Sequence, residues 1–122
     1  MSHRIEKIHQ ILEDLRRYNP DVEACALISS DGLPIASIMP PDADEAKIAA
    51  MAAAIQGVAE KVSMELKRGA FKQVLIQGEL GGVLVTNATS ETAIVVVLRP
   101  KAKLGLILLD IREAIKRLAE VF

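Results

Sequence analysis

The stretch ISSDGLPIASI, residues 28–38, places an Asp-Gly pair between two short apolar runs, with a proline soon after it. Asp31 and Gly32 are residue types that accept the positive φ of a tight hairpin turn. The runs at 22–29 and 33–39 are rich in Val, Ile and Ala, a composition that favours short strands. The sequence therefore predicts two paired antiparallel strands, with Asp31 and Gly32 as structural turn residues rather than catalytic ones.

Two amphipathic helices are predicted at the ends of the chain. The first, over 4–18, has apolar residues along one side: Ile5, Ile8, Ile11, Leu12 and Leu15. The last follows Pro100, and its apolar residues step by four and three: Leu104, Leu108, Ile111, Ile115, Leu118 and Phe122. Each of these helices therefore has an apolar face to bury against another element.

A long helix and three further strands are predicted between them. Asp42 lies three residues before Glu45, an arrangement typical of a helix N-terminus, and Gly69 is the predicted C-terminal cap after Arg68. Strands are predicted at 71–77, 83–87 and 92–99, separated by turns at 81–82 and 89–90. The element order is α-ββ-α-βββ-α, an α+β fold in a single domain over residues 1–122.

The long helix has apolar residues on two faces. One face is predicted to pack on the sheet and consists of Ile48, Met51, Ala52, Ile55, Val58, Ala59, Val62 and Leu66. The opposite face carries small residues at 46, 50, 53 and 57, with Met64 in line and Ala49 beside them. Small side chains let a second helix approach closely, so this face is predicted to pack against a partner, with Glu60 and Lys61 at its border. The alternative is that alanines are good helix formers and need no partner.

Composition excludes several classes of partner. The chain has 15 Lys and Arg against 16 Asp and Glu, for a net charge of -1, so no global field attracts nucleic acid or an anionic membrane. Aromatic residues make up only 2% of the chain, which disfavours base stacking. The single cysteine and the polar first residues predict a reduced, cytoplasmic protein, and no apolar stretch is long enough to predict a membrane span.

Catalytic and cofactor chemistry is not predicted. His3 and His9 fall on different faces of the first helix, and Cys25 has no ligand at metal-binding spacing, so no metal site is expected. Neither histidine is placed to activate a nucleophile, and the glycines at 78–82 lack the Gly-Lys-Ser/Thr ending of a phosphate loop. The protein is therefore predicted not to be an enzyme and to bind no cofactor. The basic residues at 99, 101 and 103 are interpreted either as a docking point for an anionic partner or as a solvated surface.

Several segments together resemble the Roadblock/dynein light chain family. These are the hairpin ALISSDGLPIAS (26–37), the Ala-rich helix over 44–68, the strand GGVLVT (81–86) and the closing helix KLGLILLDIREAIKRL (103–118), in the order α-ββ-α-βββ-α. The resemblance covers essentially the whole chain and is most specific in the hairpin. It implies a profilin-like fold, with a five-stranded antiparallel sheet that carries the first and last helices on one face and the long helix on the other.

The resemblance also implies a dimer and a class of partner. Members of the family usually pair their third strands and pack their second helices together, which would place Phe71, Gln73, Leu75 and Gln77 at the strand contact. The helix contact would then be formed by Ala46, Ala50, Ala53 and Gly57, with Glu60, Lys61 and Met64 beside them. Stand-alone prokaryotic, MglB-like members act on small Ras-like GTPases, so the implied function is a homodimeric, non-catalytic GTPase regulator or adaptor. Arg68 is the candidate for a GTPase contact.

Two other functions stay open on the sequence. Eukaryotic members of the family bridge dynein or lysosomal scaffolds, which suggests a subunit of a heteromeric scaffold. Profilin-like sheets also hold ligands between sheet and helix, which suggests a small-molecule sensor. A sensor needs polar groups in its pocket, and the predicted core is almost entirely apolar.

Overall fold

The computed structural model describes residues 3–122. Residues 1 and 2, which belong to the N-terminal stretch used in predicting a cytoplasmic location, lie outside the described part of the chain. The helices are α1 (His3–Tyr18), α2 (Glu45–Glu65) and α3 (Leu104–Val121). The strands are β1 (Val22–Ser29), β2 (Pro34–Ile38), β3 (Gln73–Gly78), β4 (Gly81–Thr89) and β5 (Thr92–Leu98). The predicted element order is confirmed.

The five strands form one antiparallel sheet in the order β2-β1-β5-β4-β3. The central strand β5 has the sequence TAIVVVL and is buried along nearly all of its length, as expected for a strand covered on both faces. Within residues 3–122, the strand β3 lies at an edge of the sheet and pairs only with β4. The edge of β3 that faces away from β4 is therefore available to pair with a further strand.

The helices α1 and α3 cover one face of the sheet. Helix α1 packs over β1 and β2, and α3 packs over β4. The core between these layers is built from aliphatic side chains, among them Ile8, Leu12, Leu27, Leu84, Ile94, Ile107, Ile111 and Leu118. The two helices are joined at their surface by an ion pair between Arg117 and Asp14, 2.9 Å apart. This layer confirms the pairing of the first and last helices.

The long helix α2 covers the opposite face. Ala49 and Ala52 of α2 are buried against Ile28, Val85 and Val95 of the sheet. The predicted arrangement, with two helices on one face and the long helix on the other, is confirmed.

The ends of α2 differ from the prediction. Helix α2 starts at Glu45, and its cap is Asp44, whose carboxylate accepts a hydrogen bond from the Lys47 backbone N at 3.1 Å. The predicted start at Asp42 is therefore wrong. The helix ends at Glu65 rather than Arg68, because Lys67 already adopts the left-handed conformation with φ 57°. Gly69 also has a positive φ, but it lies beyond the helix end.

The first hairpin turns over residues 30–32. Gly32 has φ 82°, in the left-handed region that favours glycine, and its backbone N donates to the Ser29 carbonyl at 3.0 Å. The Ser29 N in turn donates to the Leu33 carbonyl at 2.9 Å. This closed turn brings Gly32 against α2, where a Cβ on Gly32 would lie 3.2 Å from the Ala53 Cβ.

Candidate interaction surface

The large apolar side chains of α2 face away from the sheet. Met51, Val58, Val62 and Leu66 are 50 to 65% exposed. The prediction that these residues form the core face of the helix is wrong. A helix that turns four large aliphatic side chains outward leaves an apolar surface that a monomer rarely keeps.

The sheet-facing side of α2 is instead lined mainly by small and polar residues, and the predicted core residue Ile48 packs beside them, half-buried. Ala49 and Ala52 are buried, and Gln56 lies further along the same side of the helix. The Gln56 side-chain amide donates to the Asn87 Oδ1 of β4 at 2.7 Å. Short side chains allow the helix to lie close to the sheet, so the larger residues of the helix are not needed there.

The predicted small-residue face of α2 is divided by the structure. Ala46, Ala50 and Gly57 are exposed, whereas Ala53 is half-buried beside the turn at Gly32. Ala50 also borders that turn, since its Cα would lie 3.5 Å from a Cβ on Gly32. The small size of Ala50 and Ala53 therefore has an explanation within the chain. Met64, Glu60 and Lys61 are exposed on the same helix, and a dimer contact at any of these positions stays a prediction.

A wide apolar groove lies between α2 and the start of β3. Its volume is about 950 Å³, and its walls include Ile55, Val58 and Val62 from α2, with Phe71 and Val74 from the approach to β3 and from β3 itself. Phe71 is only 9% exposed and precedes the strand, so it forms part of the groove wall rather than of the strand edge. The groove is open along its length, which suits a macromolecular surface better than an enclosed small molecule.

The edge strand β3 continues this apolar surface. Gln73, Leu75, Ile76 and Gln77 are all exposed, with Leu75 and Ile76 at 37% and 43%. Because alternate side chains of a strand point to opposite faces, Val74 and Ile76 lie on the α2 side and Leu75 lies on the α3 side. An exposed apolar edge with free backbone groups is a site at which another strand can add.

The two ends of α2 differ in net charge. Asp42, Asp44 and Glu45 outnumber Lys47 at the N-terminal end, whereas Lys67 and Arg68 outnumber Glu65 at the C-terminal end. Arg68 lines the groove together with Lys72, and its Nε donates to the Leu66 carbonyl at 3.0 Å. The candidate GTPase contact predicted at Arg68 is therefore exposed at one end of the apolar groove.

The other sequence-predicted candidates are placed away from this surface. Cys25 is buried in β1, and burial raises the pKa of its thiol to about 12, so the thiol stays protonated and is a poor nucleophile. Within residues 3–122 there is no group of three His, Cys, Asp or Glu side chains that could hold a metal ion. No helix in the same range is both long and apolar enough to span a bilayer.

The exposed apolar face of α2 is what sequence reasoning missed. The helix is apolar around most of its circumference, so periodicity alone does not distinguish the face that meets the sheet from the face that is left open. Side-chain size was the available signal. The buried face carries alanines, and the exposed face carries Met51, Val58 and Val62.

Comparison with known proteins supports both the fold and the family. The Roadblock/LC7 domain model matches residues 8–98. Protein MJ0714 of Methanocaldococcus jannaschii is 34% identical over 115 residues, which is 94% of this chain and 96% of that protein. MglB of Myxococcus xanthus is similar in structure, with a TM-score of 0.90 and 20% identity over 100% of this chain and 92% of that chain.

Two further structures show the range of the fold. An MglB with a tetrameric arrangement has a TM-score of 0.90 and 22% identity, covering 99% of this chain and 91% of that chain. A profilin from a LokiProfilin2/rabbit actin complex has a TM-score of 0.67 and 17% identity, covering all of both chains. The predicted profilin-like architecture is thereby confirmed. With a family model matched over most of its length and a relative above 30% identity, this chain belongs to the Roadblock/LC7 domain family.

Proposed function

We propose that the protein is a homodimer that binds a small Ras-like GTPase and regulates its nucleotide cycle without contributing catalytic chemistry of its own. The observation that carries the dimer is the apolar face of α2, which lies beside the unpaired edge of β3. Met51, Val58 and Val62 together with Ile76 form an exposed apolar surface on the α2 side of the sheet, and this surface is incomplete in a single chain. A second copy of the same surface covers it.

The geometry of such a dimer follows from the edge strand. Two identical strands that pair in antiparallel fashion are related by a two-fold axis perpendicular to the sheet. The two β3 strands would then join two five-stranded sheets into one sheet of ten strands. Both α2 helices lie on one face of that sheet, and their exposed apolar sides meet above the paired strands. The groove beside β3 is filled by the partner in this arrangement.

Charge at the ends of α2 fits the same arrangement. The helix has 21 residues and is about 31 Å long. A two-fold axis near its middle makes the helices antiparallel, so the acidic start of one helix, at Asp44 and Glu45, lies towards the basic end of the other, at Lys67 and Arg68. Antiparallel helix dipoles and opposite charges favour this register over a parallel one.

The GTPase half of the proposal rests on family membership and on the likeness to MglB. A dimer offers two copies of one surface around a two-fold axis, and a GTPase docked on it has its switch segments held in one arrangement. Because the dimer binds one arrangement of the switch segments more tightly than the others, it shifts the population of GTPase conformations towards that arrangement. This shift changes the rate of nucleotide exchange or of hydrolysis. The proposal includes a cytoplasmic location and a single domain over residues 1–122.

Arg68 is proposed as a GTPase contact. It lies at the rim of the groove, and its side chain donates to the backbone carbonyl of Leu66, two residues earlier. If the protein supplies an arginine to the transferring phosphate, loss of Arg68 lowers the stimulation of hydrolysis by a factor of about 10³ or more. If the dimer acts by docking alone, loss of Arg68 weakens binding and leaves the stimulated rate at saturation unchanged.

The function is tested with the small Ras-like GTPases encoded in the source genome. Each GTPase is loaded with a fluorescent nucleotide, and release and hydrolysis are measured with wild-type protein, Val58→Glu and Arg68→Ala. We expect one GTPase to respond to the wild type and not to Val58→Glu, since the latter removes the dimer. A wild-type dimer to which no GTPase binds would contradict the GTPase role and would favour a subunit of a heteromeric scaffold.

A further inference from the structure

The turn between β3 and β4 carries an exposed leucine next to a glutamate. Leu80 is 87% exposed, more than any other large apolar side chain within residues 3–122. We infer that this turn, Glu79 and Leu80, inserts into the groove beside α2 of a second copy and anchors the dimer there. The inference rests on the proposed pairing of the β3 strands, and it names the segment that fills the groove.

Leu80 lies on the same side of the sheet as α2. It lines an open cavity together with Ile76, Val83 and Val97. Val83 also packs against the cluster that α2 covers, and Val97 follows Val95 of that cluster by two residues, so both point to the α2 side. The groove beside α2 opens on this side as well. Leu80 of one copy and the groove of the other therefore lie on one face of the joined sheet.

Two-fold symmetry restricts how the two β3 strands can pair. A two-fold axis perpendicular to the sheet keeps each side chain on its own face, and residues directly opposite each other share a face. One residue must therefore lie opposite its own copy, at the axis. With Leu75 at the axis, Val74 lies opposite Ile76 on the α2 side. Gln73 lies opposite Gln77 on the α3 side.

The two neighbouring registers pair unlike side chains. With Ile76 at the axis, Leu75 lies opposite the Gln77 amide. With Val74 at the axis, Ile76 lies opposite the Lys72 ammonium. Cross-strand contacts between two apolar side chains, or between two that hydrogen-bond, stabilise a sheet. The register with Leu75 at the axis is therefore favoured.

In this register the β3–β4 turn reaches the groove of the second copy. Gly78 lies opposite Lys72 of that copy, and the turn extends two residues further, alongside its residues 70 and 71. Ala70, Phe71 and Lys72 line the groove, and Val62 of α2 lies in the same lining. Leu80 therefore meets an apolar wall that a single chain leaves open.

The charges on the two surfaces are complementary. The groove lining includes Arg68 and Lys72 and no acidic residue, whereas the cavity around Leu80 includes Glu23 and Glu79 and no basic residue. Within residues 3–122, neither Lys72 nor Glu79 forms an ion pair. They flank β3 at opposite ends, about 23 Å apart, so they cannot meet within one chain. The two-fold axis brings Glu79 of each copy towards Lys72 of the other.

The anchor is tested first at Leu80. The dissociation constant of the dimer is measured by sedimentation over a dilution series for the wild type, for Leu80→Ala and for the control Leu33→Ala. Leu33 is also an exposed leucine in a hairpin turn, at 64%. We expect Leu80→Ala to raise the dissociation constant about tenfold or more, because each dimer loses two anchors, and Leu33→Ala to leave it unchanged. An unchanged constant for Leu80→Ala in a protein that dimerises would overturn the anchor and leave the dimer in place.

Charge reversal tests the contact between the copies. Lys72→Glu and Glu79→Lys each place like charges at both contacts of a homodimer, whereas a heterodimer of the two variants has opposite charges at both. We expect each variant alone to dimerise about tenfold more weakly than the wild type, and an equimolar mixture to recover the wild-type constant. Arg16→Glu, an exposed charge reversal on α1, is the control and should dimerise like the wild type.

The outcomes separate the anchor from the proposed function. Weak dimerisation that persists in the mixture would show that Glu79 and Lys72 do not meet across the axis, and would overturn this placement of the turn. A monomeric wild type would overturn both the anchor and the dimer. Full recovery in the mixture, in a protein to which no GTPase binds, would support the anchor and contradict only the GTPase role.

Discussion

Two glycines illustrate how single residues support this fold differently. Gly81 has φ 142°, and a Cβ there would overlap the Leu98 carbonyl oxygen, so both its conformation and its surroundings require glycine. Gly57 lies inside α2, where a Cβ would meet nothing within 4 Å. Glycine is therefore required at position 81, in the β3–β4 turn. At position 57, in α2, no contact within the chain requires it.

These two positions give a matched prediction. We expect Gly81→Ala to lower the free energy of unfolding by about 2–4 kcal/mol, through strain and overlap with backbone that cannot move aside. Gly57→Ala should raise it by about 0.5–1 kcal/mol, because alanine loses less backbone entropy in a helix. Urea unfolding of both variants beside the wild type measures the difference. A destabilised Gly57→Ala would show that this position is in close contact with another surface.

A second residue-scale prediction concerns pH. Hydrogen bonds from Arg117 and Gln10 hold the pKa of Asp14 below its ordinary value of 3.8. A carboxyl whose pKa is lower in the folded state stabilises the fold above its unfolded pKa, and this stabilisation is lost as the pH falls through the folded value. Acid should therefore weaken the link between α1 and α3.

The prediction is tested with Arg117→Met. At pH 7 we expect this variant to lose up to about 1 kcal/mol of stability, since the ion pair is only partly shielded from solvent. As the pH falls below 3.8, the difference from the wild type should shrink, because Asp14 becomes protonated in both proteins. Thermal unfolding over pH 2–7 follows this convergence. A constant difference across that range would mean that Arg117 acts by packing alone.

At the scale of elements, Asn87 ties the start of β3 to the rest of the fold. Its side chain accepts from Gln56 of α2 at 2.7 Å and donates to the Phe71 carbonyl at 2.7 Å. Its backbone N donates to the Lys72 carbonyl at 3.1 Å. One residue of β4 therefore positions both walls of the groove beside β3.

We expect Asn87→Ala to lower the free energy of unfolding by about 1–3 kcal/mol, since it leaves the Phe71 carbonyl and the Gln56 amide without this partner. Hydrogen exchange at Gln73 and Val74 should accelerate more than exchange in β1, because the anchor lies at the start of β3. Ser90→Ala, at an exposed position in the neighbouring turn, is the control and should change neither quantity. Equal acceleration in β1 and β3 would contradict a local anchoring role.

The sequence predicted the elements better than their faces. The Asp31-Gly32 pair, the alternation around it and the apolar spacing of α1 and α3 led directly to the observed strands and helices, because each of those patterns has one apolar face and a clear partner. Helix α2 is different. Its residues Ala49 and Met51 are both apolar, and only the closeness of the sheet selects the smaller one for burial. Periodicity contains no such information, so Met51, Val58 and Val62 were assigned to the core although they are exposed, whereas Ala52 of the same predicted face is buried.

At the scale of the whole molecule, the unfinished surfaces are the main clue to function. The fold closes a well-packed core between α1, α3 and the sheet, yet it leaves the β3 edge and the outer side of α2 apolar and open. Edges of this kind are usually protected by charge, by bulges or by pairing. The family resemblance predicted β3 as the pairing edge, whereas the exposed apolar surface of α2 became apparent only in the three-dimensional structure.

The most direct test of the dimer is its mass in solution. Size-exclusion chromatography with light scattering is carried out on the wild type, on Val58→Glu in the proposed interface, and on Leu33→Glu, an exposed apolar position in the first hairpin. We predict dimers for the wild type and for Leu33→Glu, and a folded monomer of 13.2 kDa for Val58→Glu. A dimer that persists in Val58→Glu, or a wild type that is monomeric at micromolar concentration, would contradict the proposed interface.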